Sequence, residues 1–248
     1  MEKNEVNSKN ASIWDKCEIF INTANHCLIA ITTFYLVWYC LQNYEMTGTL
    51  TQHAWVTAIG YQVLMAEGIM TIYKANSLTF LSSKREKNHL HWILQVIGGT
   101  MALYGCIIEI IDKERAGRRH FRSLHAIYGL VSMIFLCISI VSGLTALFSF
   151  EARRYLKPVI SKFSHNILSL AAFVTGMVSL IYAWVDIRWA SRYDPGNLRY
   201  MSAWALGFII FFSSIGALKS LLHQSIGVVK LLSCKSDKEE SVNDSEKQ

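Results

Sequence analysis

Six apolar runs of about 20 residues each constrain the fold of this 248-residue sequence more than any other feature. They cover residues 18–41, 53–73, 90–111, 124–148, 163–186 and 202–222. A helix of about 20 apolar residues crosses the ~30 Å hydrocarbon core of a bilayer. A content of 52% hydrophobic and 17% charged residues argues against a soluble domain. The sequence therefore predicts an all-α, six-helix transmembrane protein.

The polar segments outside these runs define the predicted domain boundaries. Residues 1–17 lack a signal-peptide pattern and are expected to form a disordered cytoplasmic tail. Residues 18–222 are predicted to form one transmembrane domain, and residues 223–248 a second cytoplasmic tail. The six cysteines include no CxxC pair, so we interpret them as small core residues rather than disulfides or a metal site.

The basic residues indicate how the chain crosses the membrane. With a cytoplasmic N-terminus, 16 of the 24 Lys and Arg residues fall on the cytoplasmic side and 8 on the other. By the positive-inside rule, this distribution predicts that both termini are cytoplasmic. The net charge of +6 is then explained by the orientation of the chain in the membrane, and no nucleic-acid partner is expected. The loop at 112–122 departs from the trend with five basic residues, which suggests acidic lipid or an anionic ligand nearby.

Four histidines stand at or near the beginnings of four consecutive runs, and an ionisable residue just inside a membrane marks a candidate functional site. They are His53, His91, His125 and His165. Successive helices of a short-looped bundle run antiparallel, so His53 and His125 are predicted to lie near the outer face. His91 and His165 are predicted to lie near the cytoplasmic face. The separations within the two pairs are nearly equal, at 72 and 74 residues.

Two such pairs predict two haems with histidine on both axial positions, because neutral imidazole is a good iron ligand. A haem ligated in this way has no open coordination site and passes electrons instead of binding substrate at iron. From the helical rise, the two irons are expected roughly 20 Å apart across the membrane.

Small residues follow each histidine on the same helix face, and we expect them to leave room for the haems. They are Gly60, Gly68, Gly98, Gly105, Gly129, Ser132, Ser139, Ala172 and Ser179. The alternative interpretation is that small residues let membrane helices pack closely.

Two other classes of function stay open at this point. A haem-free membrane transporter or proton pathway could use the intramembrane histidines, but it predicts acidic partners at mid-depth. Apart from Glu18 and Asp186 at the ends of their runs, only Glu67 and Glu109 lie within the runs, and neither is at the midplane. A structural or adaptor membrane protein would leave the histidines unexplained. We expect His26, in the first run, to make a polar contact with a neighbouring helix rather than to bind a metal.

The arrangement over residues 18–222 resembles the cytochrome b561 family of six-helix transmembrane reductases. The stretch Gly117–Gly129, with its His-Phe-x-Ser-x-His core, looks like the cytochrome-b561-domain-containing branch. The resemblance implies that the four histidines ligate two haem b groups within a core formed by the second to fifth helices. It also implies an ascorbate-dependent transmembrane reductase. Electrons would pass from cytoplasmic ascorbate to monodehydroascorbate or a ferric chelate on the other side.

The resemblance further implies basic substrate-binding residues at both faces. The candidates on the ascorbate side are Lys84, Arg85, Lys87, Arg153 and Arg154. The candidates on the acceptor side are Arg118, Arg119, His120 and Arg122. The positive-inside rule also explains the first set, whereas the second set defies it. The membrane is expected to be that of the endoplasmic reticulum, a vesicle or the cell surface, and a homodimer stays open.

Overall fold

The computed structural model describes residues 13–43, 47–155, 157–185 and 197–246, and almost all of them are helical. Helix α1 spans Ile13–Asn43. The second helix is continuous but has three parts: α2 (Thr49–Ala58), a π-helical segment (Ile59–Met65) and α3 (Ala66–Met70). The remaining helices are α4 (Lys84–Arg115), α5 (Leu124–Leu147), a 3-10 turn (Glu151–Arg154), α6 (Pro158–Val185) and α7 (Leu198–Glu246). The all-α prediction is confirmed for the described residues.

Five helices, α1, α4, α5, α6 and α7, are long and apolar enough to cross a membrane. The π-helical segment divides the second helix into parts that are each shorter than a membrane span. Each of the six apolar runs nevertheless lies in a helix. The architecture is that of a multi-pass membrane protein.

The helices associate as two antiparallel pairs. The second helix packs along α4, and α5 packs along α6. The π-helical segment also contacts α6, which joins the two pairs into one bundle. Helices α1 and α7 contact each other and flank the bundle, α1 against the second helix and α7 against α6.

Close glycine contacts hold the first pair together. A Cβ atom on Gly60 would lie 2.8 Å from the carbonyl oxygen of Gly98, and one on Gly98 would lie 2.9 Å from that of Gly60. The two backbones therefore touch at this crossing. The expectation that these two glycines leave room for a haem is wrong, and close helix packing is their actual role.

The centre of the bundle is linked by hydroxyl groups. Ser132 on α5 donates to the carbonyl oxygen of Ala172 on α6, over 2.6 Å. Tyr61, in the π-helical segment, is hydrogen-bonded to the Ser132 hydroxyl at 2.7 Å. Ser132 and Ala172 are fully buried at this junction, so they too serve helix packing rather than haem space.

Some helix boundaries differ from the predicted ones. Helix α4 begins at Lys84, where Ser83 and Glu86 form a capping box, so Lys84, Arg85 and Lys87 lie in its first turn and not in a loop. Helix α1 begins at Ile13 and α7 continues to Glu246, inside the two predicted tails. Beyond residue 222 the chain has good helix formers and no proline, which lets α7 continue. Residues 1–12 and Pro195 lie outside the described residues.

Candidate functional site

The structure brings the four histidines together in the two predicted pairs. The ring centroids of His53 on α2 and His125 on α5 are 5.8 Å apart, with ring planes at 75°. Those of His91 on α4 and His165 on α6 are 6.4 Å apart, with ring planes at 86°. Each pair thus contributes one imidazole from each half of the bundle.

The two pairs lie near opposite ends of the bundle. His53 contacts α4 at Gly105, which is 14 residues beyond His91 on the same helix. At 1.5 Å of rise per residue, this spacing corresponds to about 21 Å along α4. The two histidine pairs are thus well separated along the bundle, and the distance of roughly 20 Å between two irons stays a prediction.

In the first helix pair, backbone carbonyl groups orient the imidazoles reciprocally. The Nδ1–H of His53 donates to the carbonyl oxygen of Gly105 on α4 over 2.8 Å. The Nδ1–H of His91 donates to the carbonyl oxygen of Gly68 on α3 over 2.7 Å. Because a carbonyl oxygen only accepts, the proton resides on Nδ1 and the lone pair on Nε2.

The second helix pair repeats this arrangement. The Nδ1–H of His125 donates to the carbonyl oxygen of Ser179 over 2.9 Å. His165 is hydrogen-bonded to the backbone of Ser139, and its Nδ1 lies 3.3 Å from the Ser142 hydroxyl. Four small residues that we expected to make room for haem, Gly68, Gly105, Ser139 and Ser179, therefore provide the backbone partners of the histidines.

The histidine pairs fit a haem iron. An imidazole nitrogen lies about 2 Å from a metal that it ligates, so two rings on opposite sides of one metal have centroids about 6 Å apart. Both measured separations are close to this value. Each pair offers two protein ligands, and a porphyrin supplies the other four.

A cavity adjoins the His53–His125 pair. Its walls are largely apolar and include Tyr61, Leu130 and Met133. A largely apolar cavity with a few convergent polar groups is typical of a cofactor site.

Sequence reasoning assigned no role at this cavity to two charged residues that line it, Glu109 and Lys113. Lys113 Nζ lies 3.4 Å from Glu109 Oε1, an i,i+4 ion pair on α4. Glu109 Oε2 is buried and has no hydrogen-bond partner among the described residues. Their spacing in the sequence could have indicated this position. Glu109 and Lys113 follow Gly105 by one and two helical turns, on the face of α4 that contacts His53.

The predicted acceptor-side residues lie beside the same histidine pair, in the loop between α4 and α5. Arg118, Arg119 and Arg122 line a wider recess that includes His53 and His125. Arg118 forms an ion pair with Asp112. His120 Nε2 lies 3.0 Å from a carboxylate oxygen of Glu114. The positive charge of Arg118 is thus partly compensated, and Arg119 and Arg122 are exposed.

The predicted ascorbate-side residues lie at the other end of the bundle. Lys84 and Arg85 are exposed in the first turn of α4, and Lys87 Nζ donates to the carbonyl oxygen of Tyr73 over 3.4 Å. Arg153 covers the ring of Phe150 at 4.2 Å, and Arg154 is exposed in the same 3-10 turn. Both groups stand near the ends of α4 and α6 that hold His91 and His165.

His26 makes the polar contact that was predicted for it. Its Nδ1 lies 2.8 Å from Glu67 Oε1 on α3, and its Nε2 lies 2.9 Å from Asn22 Oδ1 on α1.

Comparison with known proteins identifies the family. The family model for eukaryotic cytochrome b561 matches residues 52–190, more than half of the chain and all four paired histidines. The chain is similar to proteins named transmembrane reductase CYB561D2. It is 23% identical to those of Bos taurus and Mus musculus over 151 residues, which are 60% of this chain and 67% of each relative. The Homo sapiens protein is 24% identical over the same shares. No solved structure matches the chain. The chain therefore belongs to the eukaryotic cytochrome b561 family of haem-binding oxidoreductases, which transfer electrons across membranes.

Proposed function

We propose that this protein carries electrons across a membrane through two haem b groups. His53 and His125 would hold one haem, and His91 and His165 the other. The observation that carries this proposal is the pair of facing imidazoles near each end of one bundle, with centroid separations of 5.8 and 6.4 Å. Bound in this way, each haem supplies reversible one-electron transfer.

The protein's own residues orient and tune the ligands. His53, His91 and His125 donate their Nδ1–H to the backbone of the neighbouring helix, which fixes each ring and makes its Nε2 a better electron donor. Buried apolar side chains from several helices, including Ala102, Phe173 and Met177, fill the centre of the bundle. They keep water out of the interior through which electrons would pass.

The electron donor in this proposal is cytoplasmic ascorbate, which would act at the end that holds His91 and His165. The positive-inside asymmetry supports a cytoplasmic location for that end and for both termini. Ascorbate is an anion at neutral pH. The exposed cations Lys84, Arg85, Arg153 and Arg154, together with Lys87, would attract it towards the haem edge.

The acceptor in this proposal is an anion at the opposite end, either monodehydroascorbate or a ferric chelate. Arg119 and Arg122 line the recess beside His53 and His125, on the side where topology disfavours positive charge. Arg118 and His120 share their charge with Asp112 and Glu114 and would contribute less. The membrane would be that of the endoplasmic reticulum, a vesicle or the cell surface.

Haem content tests this function directly. Purified full-length protein should contain two haem b groups per chain, and ascorbate should reduce them to a low-spin b-type spectrum. Pyridine extraction and an absorbance spectrum provide both measurements. A folded but colourless preparation, obtained after expression with ample haem, would contradict the proposal.

A further inference from the structure

A partly buried acid–base pair lies between α1 and α3, outside the haem-ligand set. It consists of His26 and Glu67, whose Nδ1 and Oε1 atoms are 2.8 Å apart. The two side chains are only 10% and 21% exposed. The contact places two proton-binding groups, an imidazole and a carboxylate, directly against each other.

One peptide group connects this pair to the predicted cytoplasmic-side haem. Glu67 is followed by Gly68, whose carbonyl oxygen accepts the Nδ1–H of His91 over 2.7 Å. Neither member of the pair touches His91 itself among the contacts of the described residues. The pair is therefore close enough to respond to charge at the haem without being part of its ligand shell.

Polar groups also connect the pair to the aqueous side. The Nε2 of His26 lies 2.9 Å from Asn22 Oδ1, and the backbone N–H of Ser77 donates to the same oxygen over 2.9 Å. Ser77 is half-exposed in the segment between α3 and α4. Hydrogen-bonded polar groups thus extend from His26 to the half-exposed Ser77.

The charged residues Glu18 and Lys219, on neighbouring elements, compensate each other. Lys219 on α7 lies 2.5 Å from Glu18 on α1, and Tyr73 donates to the other oxygen of that carboxylate over 2.5 Å. Lys87 on α4 is bonded to the Tyr73 carbonyl oxygen. This leaves His26 and Glu67 as the pair placed to bind a proton.

We propose that the His26–Glu67 pair binds one proton when the haem of His91 and His165 gains one electron. The inference rests on the proposed function, since it requires that haem. The added electron is a negative charge in a low-dielectric interior, and it favours the protonated form of a nearby site. The electron comes from the cytoplasmic reductant and the proton from cytoplasmic water. When the electron moves on to the second haem, the proton returns to the same side.

Redox titration of the purified full-length protein tests this coupling. The midpoint potential of the His91–His165 haem should fall as pH rises between about 5.5 and 8.5, because a proton is bound on reduction. For one proton per electron, each tenfold fall in proton concentration lowers the potential by up to about 59 mV. The His53→Ala variant, expected to keep only this haem, identifies its signal.

Two variants and a matched control separate the pair from other titrating groups. Glu67→Gln and His26→Asn should each flatten the dependence of the potential on pH. Glu114→Gln removes a carboxylate that is also paired with a histidine, His120, but at the other end of the bundle. This control should retain the full slope. An unchanged slope in both test variants, with haem bound, would overturn the inference.

Proton uptake provides a second measurement that needs no variant. Reduction of wild-type protein in weakly buffered detergent, followed with a pH-indicator dye, should remove close to one proton per His91–His165 haem from solution. Haem binding without uptake would refute the coupling and leave the proposed function intact. Absence of haem would instead count against the proposed function.

Discussion

At the scale of single residues, the histidines depend on backbone groups that no side-chain substitution removes. Nδ1 of His53 and of His91 each bonds a glycine carbonyl on the neighbouring helix. The strength of these bonds is controlled by how closely the helices approach. Residue-scale predictions therefore concern the ligands themselves and the small residues that set this distance.

Replacing single histidines by alanine should divide the variants into two groups of two. His91→Ala and His165→Ala are expected to lose one haem and to retain much of the other, because their rings face each other. His53→Ala and His125→Ala should show the reverse loss. Reduced absorbance spectra of the purified variants make the measurement. Selective loss of the same haem in His53→Ala and His91→Ala would show that the pairing is wrong.

Gly105→Ala should weaken haem binding at the His53–His125 pair by about tenfold, the scale of effects on groups that orient a ligand. The new Cβ would lie 2.6 Å from Thr57 Cγ2, so the helices must separate and the bond from His53 must lengthen. Haem affinity of the apoprotein is the measurement.

A second substitution tests the cause of that effect. Thr57→Ser removes the offending methyl group and keeps the hydroxyl that donates to the carbonyl oxygen of His53. The double variant should recover most of the lost affinity. If Thr57→Ser gave no recovery, the steric explanation would be refuted.

At the scale of helices, the crossing of the second helix and α4 organises one half of the bundle. The contact between Gly60 and Gly98 brings the two backbones together. It lies midway between His53 on the second helix and His91 on α4. The π-helical segment Ile59–Met65 contains Gly60 and also directs Tyr61 towards Ser132. Interruptions of this kind are frequent at functional sites.

Gly98→Ala should lower the free energy of unfolding by about 1–3 kcal/mol, the usual cost of overpacking a well-packed contact. Its Cβ would lie 2.9 Å from both the Gly60 carbonyl oxygen and Leu64 Cβ, where the backbone cannot easily move. Gly99→Ala is the matched control, because its Cβ would lie 3.5 Å from Leu136 Cδ1, an ordinary contact. Thermal unfolding of the two apoproteins in the same detergent compares them. Equal midpoints would contradict this role of Gly98.

At the scale of the whole molecule, charge is distributed differently at the two ends. The end that holds His91 and His165 has the basic residues that topology requires. The end that holds His53 and His125 has additional arginines in the α4–α5 loop, where topology disfavours them. The structure shows that Arg118 is paired with Asp112, which leaves Arg119 and Arg122 as the exposed cations of the recess.

Neutralising Arg119 and Arg122 together by glutamine should slow reoxidation of the haem at His53 and His125 by a ferric chelate several-fold at low salt. A local positive potential speeds the approach of an anion, and salt screens this benefit. Stopped-flow kinetics at low and high ionic strength measure the effect, which should shrink as salt rises. Arg118→Gln is the comparison, with a smaller expected effect. Unchanged reoxidation in the double variant at low salt would assign these arginines to lipid headgroups.

Much of this architecture could be predicted from the sequence alone. Apolar run length and the order of short loops determine which helix ends share a face, so the sequence alone predicts that His53 pairs with His125 and His91 with His165. The ring separations confirm that these residues meet. The polar contact of His26 was also predictable, because an ionisable side chain inside an apolar run needs a partner.

Other features depended on tertiary structure, because the rotation of each helix about its axis and the depth of each crossing are set by packing. The sequence presents Gly60, Gly68, Gly98 and Gly105 as equivalent small residues. Packing places Gly60 and Gly98 at a backbone crossing. It makes the carbonyl groups of Gly68 and Gly105 hydrogen-bond acceptors for histidines. Likewise, nothing local indicates that Glu67 faces His26, since these residues are 41 positions apart and meet only where α1 crosses α3. Run length and charge determined the helices and their direction, and side-chain packing between helices decided which polar groups touch.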